Sequence, residues 1–176
     1  MRMHGIRPLL AIVVSLGFGV SCTAGDLAPT ESQLGPEISN VSVVSITPSP
    51  LALLTCDRQR YVSATKVIGP QGGRIKFGTH SLNIPAGALS RDVTIVAEQV
   101  TGSTNSVRFS PEGLTFAQPA ELTMSYGDCT SVAAPKSIVY TTEQLEIVQQ
   151  LKSTDKAQSK TVVSPVNHFS RYAVAY

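Results

Sequence analysis

The chain has 176 residues, of which 42% are hydrophobic, 15% charged and 6% aromatic. That length supports one domain with its own core and not two full-sized ones. Sparse charge, 13 Gly, 11 Pro and abundant β-branched residues exclude a coiled coil or a mostly disordered chain and favour a β-rich globular fold.

Arg2, His4 and Arg7 form a short basic start, and the thirteen residues from Pro8 to Val20 are almost wholly apolar. A helix needs about 20 such residues to span a bilayer, so this stretch falls short. A basic start and an apolar run of this length read as a secretory signal over residues 1–21. The run ends Gly19-Val20-Ser21-Cys22. It resembles a bacterial lipobox, in which a small residue precedes a cysteine that is lipidated and becomes the mature N-terminus. Such boxes usually carry Leu where this chain has Gly19; the competing reading is ordinary cleavage near Ala24. The expectation is therefore an exported protein held to the membrane by lipid on Cys22, or a secreted one if Cys22 stays unmodified. Thr23 stands where an Asp often retains lipoproteins at an inner membrane, which points to the outer membrane where there is one.

Removing residues 1–21 takes away Arg2 and Arg7 and leaves 12 Lys+Arg against 12 Asp+Glu, so the mature net charge is zero. Nucleic-acid binding loses its electrostatic footprint and is not expected. With Cys22 lipidated, Cys56 and Cys129 remain as a pair that an oxidising compartment lets join; two separate thiols are the alternative. With no CxxC and only His80 and His168 in the mature chain, neither a metal nor any other cofactor is expected.

Residues 22–60 read as the lipidated Cys and a flexible tether, rich in Thr, Ser and acids and broken by Pro29, Pro36, Pro48 and Pro50. Within it Val41 to Ile46 has strand-like content. From residue 61 the pattern changes to short strands between turns. Thr65–Ile68 precedes a Gly-Pro-Gln-Gly-Gly turn at 69–73, and Arg74–Phe77 and His80–Ile84 alternate. Asp92–Val100 is a longer run with Val93, Ile95 and Ala97 on one face. Val107–Ser110, Glu121–Tyr126, Ser137–Thr141, Leu145–Leu151, Lys160–Val166 and Arg171–Tyr176 follow. No apolar stripe of helical period runs through ten residues, and no internal repeat is present. About nine short strands over residues 61–176 predict an all-β antiparallel sandwich.

Gly72-Gly73 before a strand, Ile84-Pro85-Ala86-Gly87-Ala88-Leu89, the run from Val93, and Pro111-Glu112-Gly113-Leu114-Thr115-Phe116 followed by Pro119 and Leu122 are specific together. In these motifs, over about 110 residues, the chain resembles the ZU-five domain, a β-sandwich module named for zonula occludens proteins and netrin receptors and also found in ankyrins. The resemblance implies a scaffold for protein–protein contact. A protein partner and a membrane are then the expected partners, and a small-molecule substrate is not.

One triplet carries chemistry: His168-Phe169-Ser170. Some ZU-five domains in death-domain signalling proteins cut themselves at such a triplet. The resemblance implies that Ser170 Oγ attacks the Phe169 carbonyl, that an N-to-O shift gives an ester which water hydrolyses, and that His168 is the base. A strand would put His168 and Ser170 side by side and Phe169 in the core. The same triplet also makes sense as the plain start of a last strand, and only six residues follow Ser170. No GxSxG, HExxH or phosphate-binding loop is present. His80 reads as a surface or satisfied sheet residue, Glu112 and Glu121 as solvated. Tyr126, Tyr140, Tyr172 and Tyr176 read as packing; the alternative is a carbohydrate platform, which the lack of Trp argues against. The leading expectation is a non-catalytic binding or structural module.

Overall fold

The computed structural model describes residues 50–176. The signal, Cys22 and the strand-like Val41–Ile46 lie outside the described residues. The described chain is an antiparallel β-sandwich. Its strands are β1 (Thr55–Gln59), β2 (Val62–Ile68), β3 (Gly73–Phe77), β4 (His80–Ile84), β5 (Val93–Gln99), β6 (Gly102–Thr104), β7 (Ser106–Ser110), β8 (Thr115–Ser125), β9 (Ser137–Thr141), β10 (Ile147–Gln150), β11 (Thr154–Lys156), β12 (Thr161–His168) and β13 (Arg171–Ala175). One sheet runs β10-β9-β13-β7-β5-β2 and the other β11-β12-β8-β4-β3, with β1 and β6 as a separate pair.

Period-2 alternation builds both layers. Ile95 and Ala97 of β5, Val107 and Phe109 of β7, and Tyr172 and Val174 of β13 are buried from one sheet. Ile75, Phe77, Leu82, Leu122, Met124 and Val162 are buried from the other. Rings join the layers: Phe109 meets Phe77 edge-on at 5.6 Å and stacks on Phe169 at 5.1 Å, and Phe116 meets Phe169 edge-on at 5.1 Å. Such pairs add about 1 kcal/mol each beyond the area they bury.

Turn chemistry holds the sheet ends in place. Gly72 takes φ +71°, and a Cβ there would fall 2.5 Å from the Ile84 carbonyl oxygen. Only glycine fits this close approach. Gly87 N–H donates to the Pro70 carbonyl at 2.8 Å, so the turns after β2 and β4 lock to each other.

The outer face of the six-stranded sheet carries a line of charge across neighbouring strands. Glu98 accepts from the Tyr61 hydroxyl and pairs with Arg108 at 3.0 Å; Glu143 lies between Arg108 and Arg171 at 3.4 and 3.6 Å. Arg108 and Arg171 are direct cross-strand partners. Glu143 offsets the repulsion of two like charges placed opposite each other. The Tyr61 hydroxyl, then Arg108, holds the Glu98 carboxyl below its usual range.

The sandwich starts earlier than the expected boundary at residue 61. Leu54 is fully buried, and Ala52 and Tyr176 exchange backbone hydrogen bonds of 3.1 and 3.0 Å. Residues 51–60, expected as the last part of the tether, are thus built into the fold. Leu51 and Leu53 pack with Leu145 and Ile147 on Val139, Ala173 and Ala175. The polar composition of β1 hides this, because its pairing depends on a distant cysteine. Cys56 and Cys129 form a disulfide across 73 residues, flanked by hydrogen bonds from Asp57 N–H to Asp128 O and from Thr130 N–H to Thr55 O.

Replacing both cysteines by serine is expected to lower the unfolding free energy by about 4 kcal/mol, the loop-closure value for a bridge of this span. Urea midpoints of the oxidised protein and the double variant measure it. A loss below about 1 kcal/mol would mean that backbone pairing alone holds β1.

Candidate functional site

The triplet 168–170 lies at a corner and not inside a strand. β12 ends at His168 in one sheet and β13 begins at Arg171 in the other, so Phe169-Ser170 is the crossing. The turn 111–114 between β7 and β8 crosses between the same two sheets. The two crossings are hydrogen-bonded to each other. Phe169 N–H donates to Leu114 O at 2.7 Å, Gly113 N–H to Phe169 O at 3.1 Å, and Phe109 N–H to Ser170 O at 3.3 Å. Gly113 takes φ +74°, the left-handed turn that brings its N–H onto that carbonyl.

Phe169 points into the core, as its apolar ring requires, and is 1% exposed. His168 ends β12 and Ser170 precedes β13, so the two do not belong to one continuous strand. The His168 ring packs edge-on against Tyr140 at 5.1 Å, and its Nδ1 sits 3.4 Å from the Phe169 carbonyl oxygen. Among the described residues no hydrogen bond joins His168 to Ser170. The Tyr172 hydroxyl donates to His168 O at 2.6 Å, and burial, then Tyr140, pushes its pKa up. The Phe169 carbonyl oxygen thus accepts the Gly113 N–H and faces His168 Nδ1.

Of the other tyrosines, Tyr126 and Tyr140 pack against the core and Tyr176 is exposed. Tyr126 and Tyr176 both face the Lys136 ammonium, and Tyr140 packs against Tyr172 with ring centres 6.2 Å apart. Glu112 lies in the turn after β7, and Glu121 lies on β8 with its side chain exposed. His80 is a buried sheet residue. Its Nδ1 accepts the Ser125 N–H at 3.2 Å, its Nε2 has no partner, and it is 2% exposed. Burial pushes its pKa down to about 4.

Sequence reasoning missed a cleft of about 500 Å³ beside the disulfide. Its wall is the segment 129–136, and Asp155 and Lys160 line the side facing it. The signal was length: eleven residues join β8 to β9, too many for a hairpin turn. Lys136 holds this loop in shape. It is 6% exposed, and its ammonium donates to the carbonyls of Val132 and Ala134 and lies 5.8 Å from the ring centres of Tyr126 and Tyr176. Asp155 accepts the Tyr126 hydroxyl at 2.6 Å and the Lys136 N–H at 2.8 Å. Burial and this carboxylate push the Tyr126 pKa up to about 12.

Compared with protein-family models and with curated proteins, the chain matches none.

His80 makes stability depend on pH. Its pKa falls from 6.5 to about 4 on folding, so the unfolded chain binds the proton more tightly. The stabilisation is present above pH 6.5 and is lost as pH falls through about 4. The loss is about 3 kcal/mol. Urea unfolding between pH 7 and 4 is expected to show this slope in the wild type and to lose that share of it in His80→Gln, which keeps an acceptor for Ser125. Parallel profiles would refute it.

Proposed function

We propose that the chain is an envelope lipoprotein, anchored through lipid on Cys22, whose ZU-five-like sandwich is a non-catalytic protein-binding or structural module. The observation that carries this reading is the use made of the one chemical triplet. Phe169 fills the core, the Phe169 and Ser170 carbonyls bind the neighbouring crossing, and His168 is packed among rings. Each group has a structural task in turning the chain from one sheet to the other, and among the described residues no hydrogen bond joins a base to the Ser170 hydroxyl. The Cys56–Cys129 bridge is compatible with export and leaves Cys22 as the odd cysteine, free to carry lipid. Binding then falls to loops and free sheet edges, where a rigid sandwich presents unpaired backbone.

A second reading, self-cleavage before Ser170, is favoured by one contact. The Phe169 carbonyl oxygen receives the Gly113 N–H at 3.1 Å and faces His168 Nδ1 at 3.4 Å. Two donors on that oxygen would stabilise the charge that develops there. Ser170 Oγ would bond to the Phe169 carbonyl carbon and its proton would pass to the departing Ser170 nitrogen. The peptide C–N bond would break, leaving an ester that water splits into the Phe169 carboxylate and the Ser170 alcohol. With its Nδ1 carrying the proton, His168 would donate to the carbonyl rather than serve as the base.

Intact mass of the mature protein, purified from membranes under denaturing conditions, separates the two readings. The binding reading expects one uncut mass in both the wild type and Ser170→Ala, with an acyl increment on Cys22. Loss of Ser170–Tyr176 from the wild type, restored in the variant, would overturn it. An unmodified N-terminus would remove the anchor.

A further inference from the structure

We infer that the cleft between segment 129–136 and Asp155–Lys160 binds an extended acidic peptide of a partner protein. The inference rests on the binding reading above and names the site and partner chemistry for it. Three observations carry it. The first is backbone left without partners. Among the described residues, the N–H groups of Ser131, Val132, Ala133 and Ala134 make no hydrogen bond, although they belong to a segment that lines the cleft. Consecutive unpaired amides along a groove suit main-chain pairing with an extended segment.

The second is that the segment is rigid without being paired to a strand. Lys136 gathers the Val132 and Ala134 carbonyls around its ammonium, Asp155 holds the Lys136 N–H, and the disulfide fixes Cys129 to β1. A wall held from behind loses little entropy when a ligand docks on it.

The third is charge. The lining carries two lysines and one carboxylate, and both oxygens of that carboxylate already accept hydrogen bonds, from the Tyr126 hydroxyl and the Lys136 N–H. Lys160, one of the exposed lining residues, makes no ion pair among the described residues. Lys160 itself sits at φ +49°, an unusual conformation for a residue with a long side chain. The lining thus carries one more positive than negative group, and an acidic side chain on the guest complements it.

The test uses the mature chain with Cys22→Ser, so that it stays in solution with its disulfide intact, followed by amide NMR. The probe is a capped hexapeptide of alternating valine and aspartate. The expected result is saturable shifts confined to 131–136 and 155–160. The same peptide with lysine for aspartate, and the peptide with N-methylated valines, are expected to give none. Lys160→Asn keeps the left-handed backbone and removes the charge. It is expected to weaken binding roughly fivefold, the worth of one exposed ion pair. Lys76→Asn on the β3 edge is expected to leave binding unchanged. No shifts at millimolar peptide, equal shifts with the lysine peptide, or shifts at the β10 or β2 edge would overturn the assignment. The mass of the same sample keeps the two readings apart. A null titration with Ser170–Tyr176 still attached removes the cleft site alone, whereas loss of that heptapeptide removes the binding reading itself.

Discussion

The fold depends on one corner, where two chain crossings run side by side. β7 pairs with β13 in one sheet, and β8 pairs with β12 in the other. The chain passes from β7 to β8 and from β12 to β13, so a two-stranded ribbon bends from sheet to sheet as a unit. The pairing His168–Thr115 on one side and Arg171–Arg108 on the other brackets the bend. Between them, the backbone bonds of Gly113, Leu114, Phe169 and Ser170 continue the ladder through the bend. A bend in a ribbon leaves a wedge of space on its inner side, and Phe169 fills it, stacked on Phe109 and edge-on to Phe116. Truncating a ring this buried costs about 3 to 5 kcal/mol, because neighbours pinned by hydrogen bonds cannot collapse into the gap.

That corner also explains which parts of the fold were legible in the sequence. Strands that alternate over a buried face, such as β4, β5 and the second half of β8, can be read from residue type, because the core selects every second position. The corner cannot. His-Phe-Ser has the polar–apolar–polar form of a strand, and Phe169 is buried as a strand would bury it. Only the change of hydrogen-bonding partner, from β8 at His168 to β7 and β9 at Arg171, reveals the crossing. β1 was illegible for another reason. Thr-Cys-Asp-Arg-Gln has no apolar alternation, and its place is set by a bridge and by backbone pairing to distant residues. The cleft loop lacked period of any kind, and its shape comes from one lysine folding back on its own carbonyls.

The buried polar groups divide by how they are satisfied. The Lys136 ammonium replaces water with two carbonyls and two aromatic faces. Such contacts offset part of the cost of removing an ammonium from water. His80 takes the other course. Its surroundings supply a donor, the Ser125 N–H, and no carboxylate within pairing distance among the described residues, so neutrality costs less than charge. Asn105 is intermediate: its amide donates to Ser125 O at 2.6 Å and to Cys129 Sγ at 3.4 Å, while its own oxygen has no partner. Three polar side chains thus converge on the end of β8, where the chain leaves the sheet for the cleft loop. A strand end that carries so many specific bonds has little freedom to shift, and the loop that follows inherits a fixed origin.

The strand directions place the two candidate regions at opposite ends of the sandwich. β12 starts at Thr161, opposite Ser125, and finishes at His168, opposite Thr115. The disulfide, the cleft and the paired ends at Ala52 and Tyr176 lie towards its start, and the corner lies at its finish. Eight residues of extended strand separate them, about 25 Å, well beyond the range over which substitutions couple directly. Changes at Ser170 and at Lys160 should therefore act independently unless they shift β12 as a whole. The corner is held by paired backbone and packed rings, and a smaller cleft of about 330 Å³ lies beside it, lined by Leu114, Thr115 and Phe116. The cleft beside the disulfide is open, polar on one wall and built by a loop that no strand covers. The rigid end of the molecule specifies the fold, and the partner site proposed above lies at the other end.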